Sequence, residues 1–296
     1  MKLTPTWGEI EQSIRHSTGT DFSIDKLTNV SGGSINACSH AWSKNEHCFV
    51  KLNSPERMAM FETEAAGLQA LEQTSELRIP QVICSGITDS HSFLVLEWLE
   101  LQSANSRSDK LLGEKLAILH GIHQPYYGWC RDNFIGSTVQ PNQHNNDWLE
   151  FFSEHRLGFQ LHLAASNSAS VRLLEKGERI RNNLPLFFSG YTPKPSLLHG
   201  DLWGGNYAMD GSGQPVIFDP ACYYGDREAD IAMTELFGGF GAEFFAAYNR
   251  TLELDAGYDV RKKLYLLYHI VNHFNLFGSG YSGQASSLMD DLLSHI

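Results

Sequence analysis

A chain of 296 residues, 42% hydrophobic and 19% charged, has material for a large core and suits two lobes better than one compact domain. Its net charge of −12 argues against nucleic acid as a general partner, because holding a phosphate backbone takes a basic surface. No apolar run reaches membrane-span length and residues 1–9 lack a signal-peptide hydrophobic region, so a cytoplasmic protein without membrane contact is expected. Five scattered cysteines (Cys38, Cys48, Cys84, Cys130 and Cys222) with no CxxC pair fit reduced thiols.

In chain order, Trp7, Ile10 and Ile14 have helical spacing over 5–18, with Gly19 as the stop. Strands are expected at 22–27, 37–42 and 48–52, the first two joined by a turn at 30–36 that contains Gly32 and Gly33. A helix over about 56–73 follows, Pro80 breaks the chain, and a strand at 92–96 runs into Glu97-Trp98-Leu99. From Ser106 the pattern turns helical, with Leu111, Leu112, Leu116, Ile118 and Leu119 on an apolar face. Residues 124–146, rich in Gly, Pro, Asn and Gln, read as an extended loop. Helices at 147–165 and 169–183, then at 226–237, 241–252, 259–277 and 284–295, make the rest mostly helical. The expected class is α+β: a small sheet lobe over 1–100, a connection at about 97–100, and a helical lobe over 101–296.

Between the two groups of helices lies Leu197-Leu198-His199-Gly200-Asp201-Leu202-Trp203-Gly204-Gly205-Asn206, and soon after it Val216-Ile217-Phe218-Asp219-Pro220. Each is an apolar run delivering a carboxylate to a tight loop, and Asn206 follows Asp201 by five positions. Two carboxylates and an amide on neighbouring segments suit Mg²⁺ and a nucleotide phosphate, since Mg²⁺ takes oxygen ligands and few from protein. Asp-x-x-x-x-Asn with a later strand-end Asp is the catalytic-loop and metal-loop pattern of protein-kinase-like folds.

With Lys51 and Glu64 added, the chain resembles that fold from end to end, and more specifically the fructosamine kinase (ketosamine-3-kinase) family. The residues that carry the resemblance are 198–206, Phe218-Asp219-Pro220-Ala221, Tyr224-Gly225-Asp226, 235–240 and 272–278. It implies a bilobal kinase that uses ATP and Mg²⁺. Asp201 would be the catalytic base, aligning the acceptor hydroxyl with the γ-phosphate, while Asn206 and Asp219 would hold the metal. Lys51 would grip the α- and β-phosphates, held by a carboxylate of the next helix. Glu64 is preferred because Glu-Ala-Ala-x-Leu resembles that helix in related small-molecule kinases; Glu62 competes. Gly32, Gly33 and Ser34 stand one strand before Lys51, where backbone N–H groups reach phosphate oxygens. Glu97, Trp98 and Leu99 would offer backbone groups to adenine.

Gly200 replaces the Arg of His-Arg-Asp, Asp219-Pro220-Ala221 replaces Asp-Phe-Gly, and no Ala-Pro-Glu follows, which points to a small-molecule kinase. The resemblance implies phosphorylation of the 3-hydroxyl of a small-molecule or protein-bound ketosamine, whose unstable product sheds the sugar. Trp203 would stack on the sugar, or else pack in the core. The acidic set Asp226, Glu228, Asp230 and Glu235 would draw a cationic substrate amine, although Asp230 could instead tie down the catalytic loop. Asn272 and His273 would line the acceptor pocket, with a His269–His273 metal pair and plain packing as alternatives. Trp129, Asn133, Gln140 and Asn142 lie in the long loop and are open to substrate. Rival readings are an aminoglycoside or choline kinase of the same fold, and a nucleotide-binding pseudokinase acting as an interaction protein. Oligomeric state is not legible.

Overall fold

A computed structural model describes residues 5–31, 35–44, 46–74 and 76–296. The chain opens with α1 (Pro5–Thr18), β1 (Lys26–Val30), β2 (Ala37–Ser43), β3 (Glu46–Asn53), α2 (Met58–Thr74), β4 (Val82–Ile87) and β5 (Ser92–Glu97). The strands form one antiparallel sheet in the order β1-β2-β3-β5-β4. Alternation sends Cys48, Val50, Phe93 and Val95 to one face, where Ile10 and Ile14 of α1 cover them. Leu94 and Leu96 pack on Phe61, Leu68 and Leu71 of α2.

The first strand starts later than expected. Phe22 and Ile24 are buried as their alternation implies, but Arg15 Nε of α1 donates to the Phe22 carbonyl (2.6 Å) and the Ile24 N–H donates to Glu11 (2.8 Å). Their backbone is satisfied by helix side chains instead of a neighbouring strand. Residues 82–87, unassigned in the sequence because Pro80 dominated that stretch, form edge strand β4, with a register shift between Val82 and Cys84.

After α3 (Ser106–His120), the long loop contains a hairpin of β6 (Asn133–Ile135) and β7 (Thr138–Gln140). The helix expected over 147–165 is α4 (Trp148–Phe151) and α5 (Phe159–Ser166) joined by a π-helical stretch at Phe152–Gly158. Next come α6 (Val171–Asn182), α7 (Leu184–Phe187), β8 (Ser196–Leu198), β9 (Tyr207–Met209), β10 (Pro215–Ile217) and β11 (Tyr223–Gly225). The chain ends with α8 (Glu228–Leu236), α9 (Ala242–Thr251), α10 (Tyr258–Phe277) and α11 (Ser282–Leu293). The antiparallel pairs β8–β11 and β9–β10 leave the loops 199–206 and 218–222 side by side. One apolar cluster runs from Phe61, Leu68 and Leu71 of α2 to Leu197, Leu202 and Ile217, so α2 shares a core with the strands that carry both loops. Among the described residues no helix is long and apolar enough to cross a membrane.

Candidate active site

Leu197, Leu198 and Leu202 are fully buried and clamp the 199–201 turn from both sides. Burying a Leu side chain contributes about 1.5–3 kcal/mol, so three of them outweigh the strain of a tight turn. Below the turn, the Asp230 carboxylate accepts from the N–H groups of His199 (2.7 Å) and Gly200 (2.8 Å). His199 Nε2–H donates to the Phe218 carbonyl (3.0 Å), while Nδ1 accepts from the Asp201 N–H (3.3 Å). Only a neutral ring can do both, and burial lowers the His199 pKa accordingly. Gly200 has φ of +82°, and a Cβ there would collide with the Ala221 carbonyl oxygen, so no Arg could occupy this place. Ala221 N–H to His199 O (2.8 Å) and Phe218 N–H to Asn206 O (3.1 Å) complete the tie between the loops.

Asp201, Asn206 and Asp219 meet on the open side. Asn206 Nδ2 donates to the Asp201 backbone oxygen (2.9 Å) and to its Oδ2 (3.2 Å), and reaches the Asp219 carbonyl at 3.5 Å. With its nitrogen so used, the Asn206 amide oxygen is the atom left for a cation. Asp219 has φ of +56°, a conformation that costs a non-glycine residue of order 1 kcal/mol and that Asp tolerates better than most. Burial and then the neighbouring Asp219 charge push Asp201 up to about 7. Like charges pressed together with an amide oxygen beside them are a donor set suited to a hard divalent cation.

Lys51 arrives from β3, buried, with Nζ 2.7 Å from Glu64 Oε1 and also paired with Asp219. Burial disfavours its charge, but Asp219 and Glu64 outweigh that and hold the ammonium above its ordinary pKa. Glu62, two positions from Glu64 on α2, is exposed to solvent. α2 is seated directly on the second loop: a Cβ at Gly67 would stand 3.2 Å from Pro220 Cγ and 3.3 Å from Cys222 Sγ. Glu64 is therefore positioned by the packing of α2 against that loop.

Gly32, Gly33 and Ser34 lie outside the described residues. Glu97 pairs with Arg78 through its side chain and donates its N–H to the Gln81 carbonyl (2.9 Å), so that N–H is not open to adenine. The Trp98 indole lies flat on His40 of β2, centroids 3.4 Å apart, and donates to Glu100 (2.8 Å); Leu99 beside it is partly buried. Trp203 does not pack in the core: it is 38% exposed, with its ring against Gly205. His273 is half-buried and donates Nδ1–H to the His269 carbonyl (2.7 Å). Among the described residues no three His, Cys, Asp or Glu side chains cluster as metal ligands.

Asp226 must be corrected. It is fully buried, accepting from Tyr265 (2.5 Å), Tyr191 (2.9 Å) and the Glu228 N–H (3.1 Å), so it cannot draw a substrate amine. Glu228 is likewise buried against Arg261 (2.7 Å), and Glu235 is taken by Lys262 (2.8 Å) and Tyr258 (2.6 Å). The polar residues of the long loop also turn inward: Asn133 donates to the Cys222 carbonyl (2.7 Å) and Gln140 to that of Ala221 (3.1 Å), bracing the second loop from behind. Polar side chains in a flexible-looking stretch gave no sign of this, because bracing and substrate contact call for the same amides.

A family model described as fructosamine kinase matches residues 6–295. A probable ketoamine kinase of Synechocystis sp. is 44% identical over 288 residues, 97% of each chain. The chloroplastic protein-ribulosamine 3-kinase of Oryza sativa is 42% identical across 96% of this chain and 84% of its own. A crystal structure from Haemophilus somnus, provisionally named fructosamine-3-kinase, superposes with a TM-score of 0.88 at 31% identity, covering 97% of each chain. An aminoglycoside phosphotransferase superposes with a TM-score of 0.65 at 13% identity over 97% of this chain and 98% of its own, a likeness of fold alone. The chain belongs to the fructosamine kinase family and is an ATP-dependent phosphotransferase of protein-kinase-like fold.

Proposed function

We propose that this enzyme moves the γ-phosphoryl group of ATP onto the 3-hydroxyl of a ketosamine, initiating removal of the sugar from the amine. The observation that carries the site assignment is the convergence of Asp201, Asn206, Asp219 and Lys51, from two loops and one strand, on a single open face. The 3-kinase and ketoamine kinase names of relatives 42% and 44% identical support the acceptor class. Asp201 accepts a hydrogen bond from the acceptor hydroxyl and takes its proton as the new O–P bond forms and the bond to the β-phosphate oxygen breaks, releasing ADP. Lys51, kept charged and fixed by Glu64, neutralises nucleotide phosphate oxygens. Asn206 and Asp219 would hold Mg²⁺, which when bound offsets charge on the phosphates. The lobes meet at 97–100, and Trp203 carries the sugar on its exposed face. Free cysteines and the need for ATP favour a cytoplasmic setting.

The test is Mg²⁺-dependent ADP release with ribulose-, fructose- and erythrulose-amines beside an aminoglycoside and choline, with ³¹P NMR locating the phosphate. A ketosamine phosphorylated at C3 with kcat/KM at least tenfold above the others is expected. An aminoglycoside or choline outrunning every ketosamine would overturn the reading.

A further inference from the structure

Trp203 begins a row of aromatic rings. Phe237 meets it edge-on with centroids 5.8 Å apart, His273 lies 5.1 Å from Phe237, and His273 is 5.6 Å from Phe277 and 5.2 Å from Tyr281. Phe237 and Phe277 are 45% and 54% exposed. The rings come from the catalytic loop, the turn after α8, the end of α10 and the following 3₁₀ turn at Ser279–Tyr281. Their spacing is held by backbone contact, since a Cβ on Gly239 would stand 2.8 Å from Gly204 Cα. Keeping apolar rings in water is costly, and this row starts two residues after the catalytic aspartate.

We propose that the row recognises the amine side of the acceptor, with the secondary ammonium of the ketosamine over Phe237 and its alkyl substituent along His273 toward Phe277 and Tyr281. The inference rests on the ketosamine reading above. The bonds C3–C2, C2–C1 and C1–N, each about 1.5 Å, separate the phosphorylated carbon from the nitrogen. A sugar on Trp203 with its 3-hydroxyl at Asp201 therefore carries the nitrogen to the next ring along. A cation within about 6 Å of an aromatic face is attracted to it. The nearby carboxylates are engaged elsewhere: Asp226, Glu228 and Asp230 are buried, and Glu235 holds Lys262 and Tyr258. Burial also keeps His273 from charging, so the middle of the row does not repel an ammonium. The occupant is thus an N-alkyl ketosamine such as a glycated lysine side chain, whose methylenes suit apolar rings.

The experiment compares 1-(hexylamino)-1-deoxyfructose with its uncharged 1-hexyloxy ether on the intact enzyme. The wild type is expected to favour the amine at least tenfold in kcat/KM. Phe237→Leu should cut that preference about fivefold with the KM for ATP unmoved, and Phe237→Tyr should restore it. Shortening hexyl to butyl should raise KM about threefold per methylene, and Phe277→Leu with Tyr281→Leu should abolish that dependence. Phe237 and Phe277 stand about half in water, whereas Tyr281 is partly buried against the core, so the double variant is read beside Phe277→Leu alone and its urea unfolding. Turnover of the amine with no preference over the ether, or a preference that Phe237→Leu leaves intact, overturns this inference alone. Failure of the wild type on every ketosamine overturns the reading beneath it.

Discussion

Two sets of carboxylates lie within one small region and behave as opposites. Asp201 and Asp219 face the open side, crowded by each other, with an amide oxygen beside them. Asp226, Glu228 and Asp230, at the start of α8, are buried, and every one is met by donors from tyrosine, arginine, histidine or backbone. A buried carboxylate whose partners are complete holds loops together, because removing it leaves each of those buried donors unpaired at about 1–3 kcal/mol apiece. Asp219 is exposed and paired with Lys51, Asp201 beside it is only partly buried, and two crowded carboxylates next to an amide oxygen are a donor set that suits a metal–phosphate site. On the proposed reading the upper set does the chemistry, and the lower set holds it in shape.

Exchanging one residue from each set should give the largest contrast. Asp201→Asn removes the proton acceptor but retains shape, so kcat should fall about 10²–10⁴-fold while nucleotide binding persists. Asp226→Asn should leave the KM for ketosamine within about twofold and act on stability, since Tyr191 and Tyr265 lose a charged acceptor. Steady-state kinetics and nucleotide titration of both variants decide it. A marked rise in acceptor KM for Asp226→Asn would restore Asp226 to substrate binding and break the comparison.

Asp230 sharpens it from the lower side. Asp230→Ala orphans the His199 and Gly200 N–H groups and removes the partner of His120 Nε2. Each buried donor left unpaired costs about 1–3 kcal/mol, so a loss of about 3 kcal/mol or more in urea unfolding is expected. Asp230→Asn, which keeps one acceptor oxygen, should recover part of it. A loss under about 1 kcal/mol would mean that the catalytic turn is held by its leucines alone.

Local chemistry was readable in the sequence where one segment carries it. The run 197–206 displays apolar anchors, glycines and polar groups in fixed register, and α10 shows its apolar spacing almost to its observed ends at Tyr258–Phe277. What escaped depends on distant partners. The alternation at Phe22 and Ile24 reports burial but not that α1 supplies the hydrogen bonds. Strand β4 is short, contains Gly86 and follows Pro80, so only its pairing with β5 defines it. Nothing in the letters Asp-Arg-Glu-Ala-Asp distinguishes carboxylates offered to substrate from carboxylates enclosed by Tyr191, Tyr265 and Arg261. The same holds for Phe237, which the sequence shows only as part of the 235–240 stretch and which the structure places 45% exposed beside Trp203.

The smallest expected effect concerns the buried bases. Burial pushes His269 down to about 3, and its Nδ1 has no hydrogen-bond partner among the described residues. An unfolded histidine titrates near 6.5, so between about pH 6.5 and 3 the unfolded chain binds the extra proton and the folded chain does not. Stability is therefore lost as pH falls through that window, by up to about 1.4 kcal/mol per pH unit, or about 2 kcal/mol between pH 6.5 and 5. His199 adds to the loss with the same sign, since burial lowers its pKa as well. His269→Gln removes the titrating ring but keeps a polar group, so its urea-unfolding stability at pH 5 should lie closer to its value at pH 7 than the wild type's does, by about 2 kcal/mol. Equal pH dependence in the two proteins would mean that His269 takes up its proton while folded, and a neutral buried base at this place in α10 would have to be abandoned.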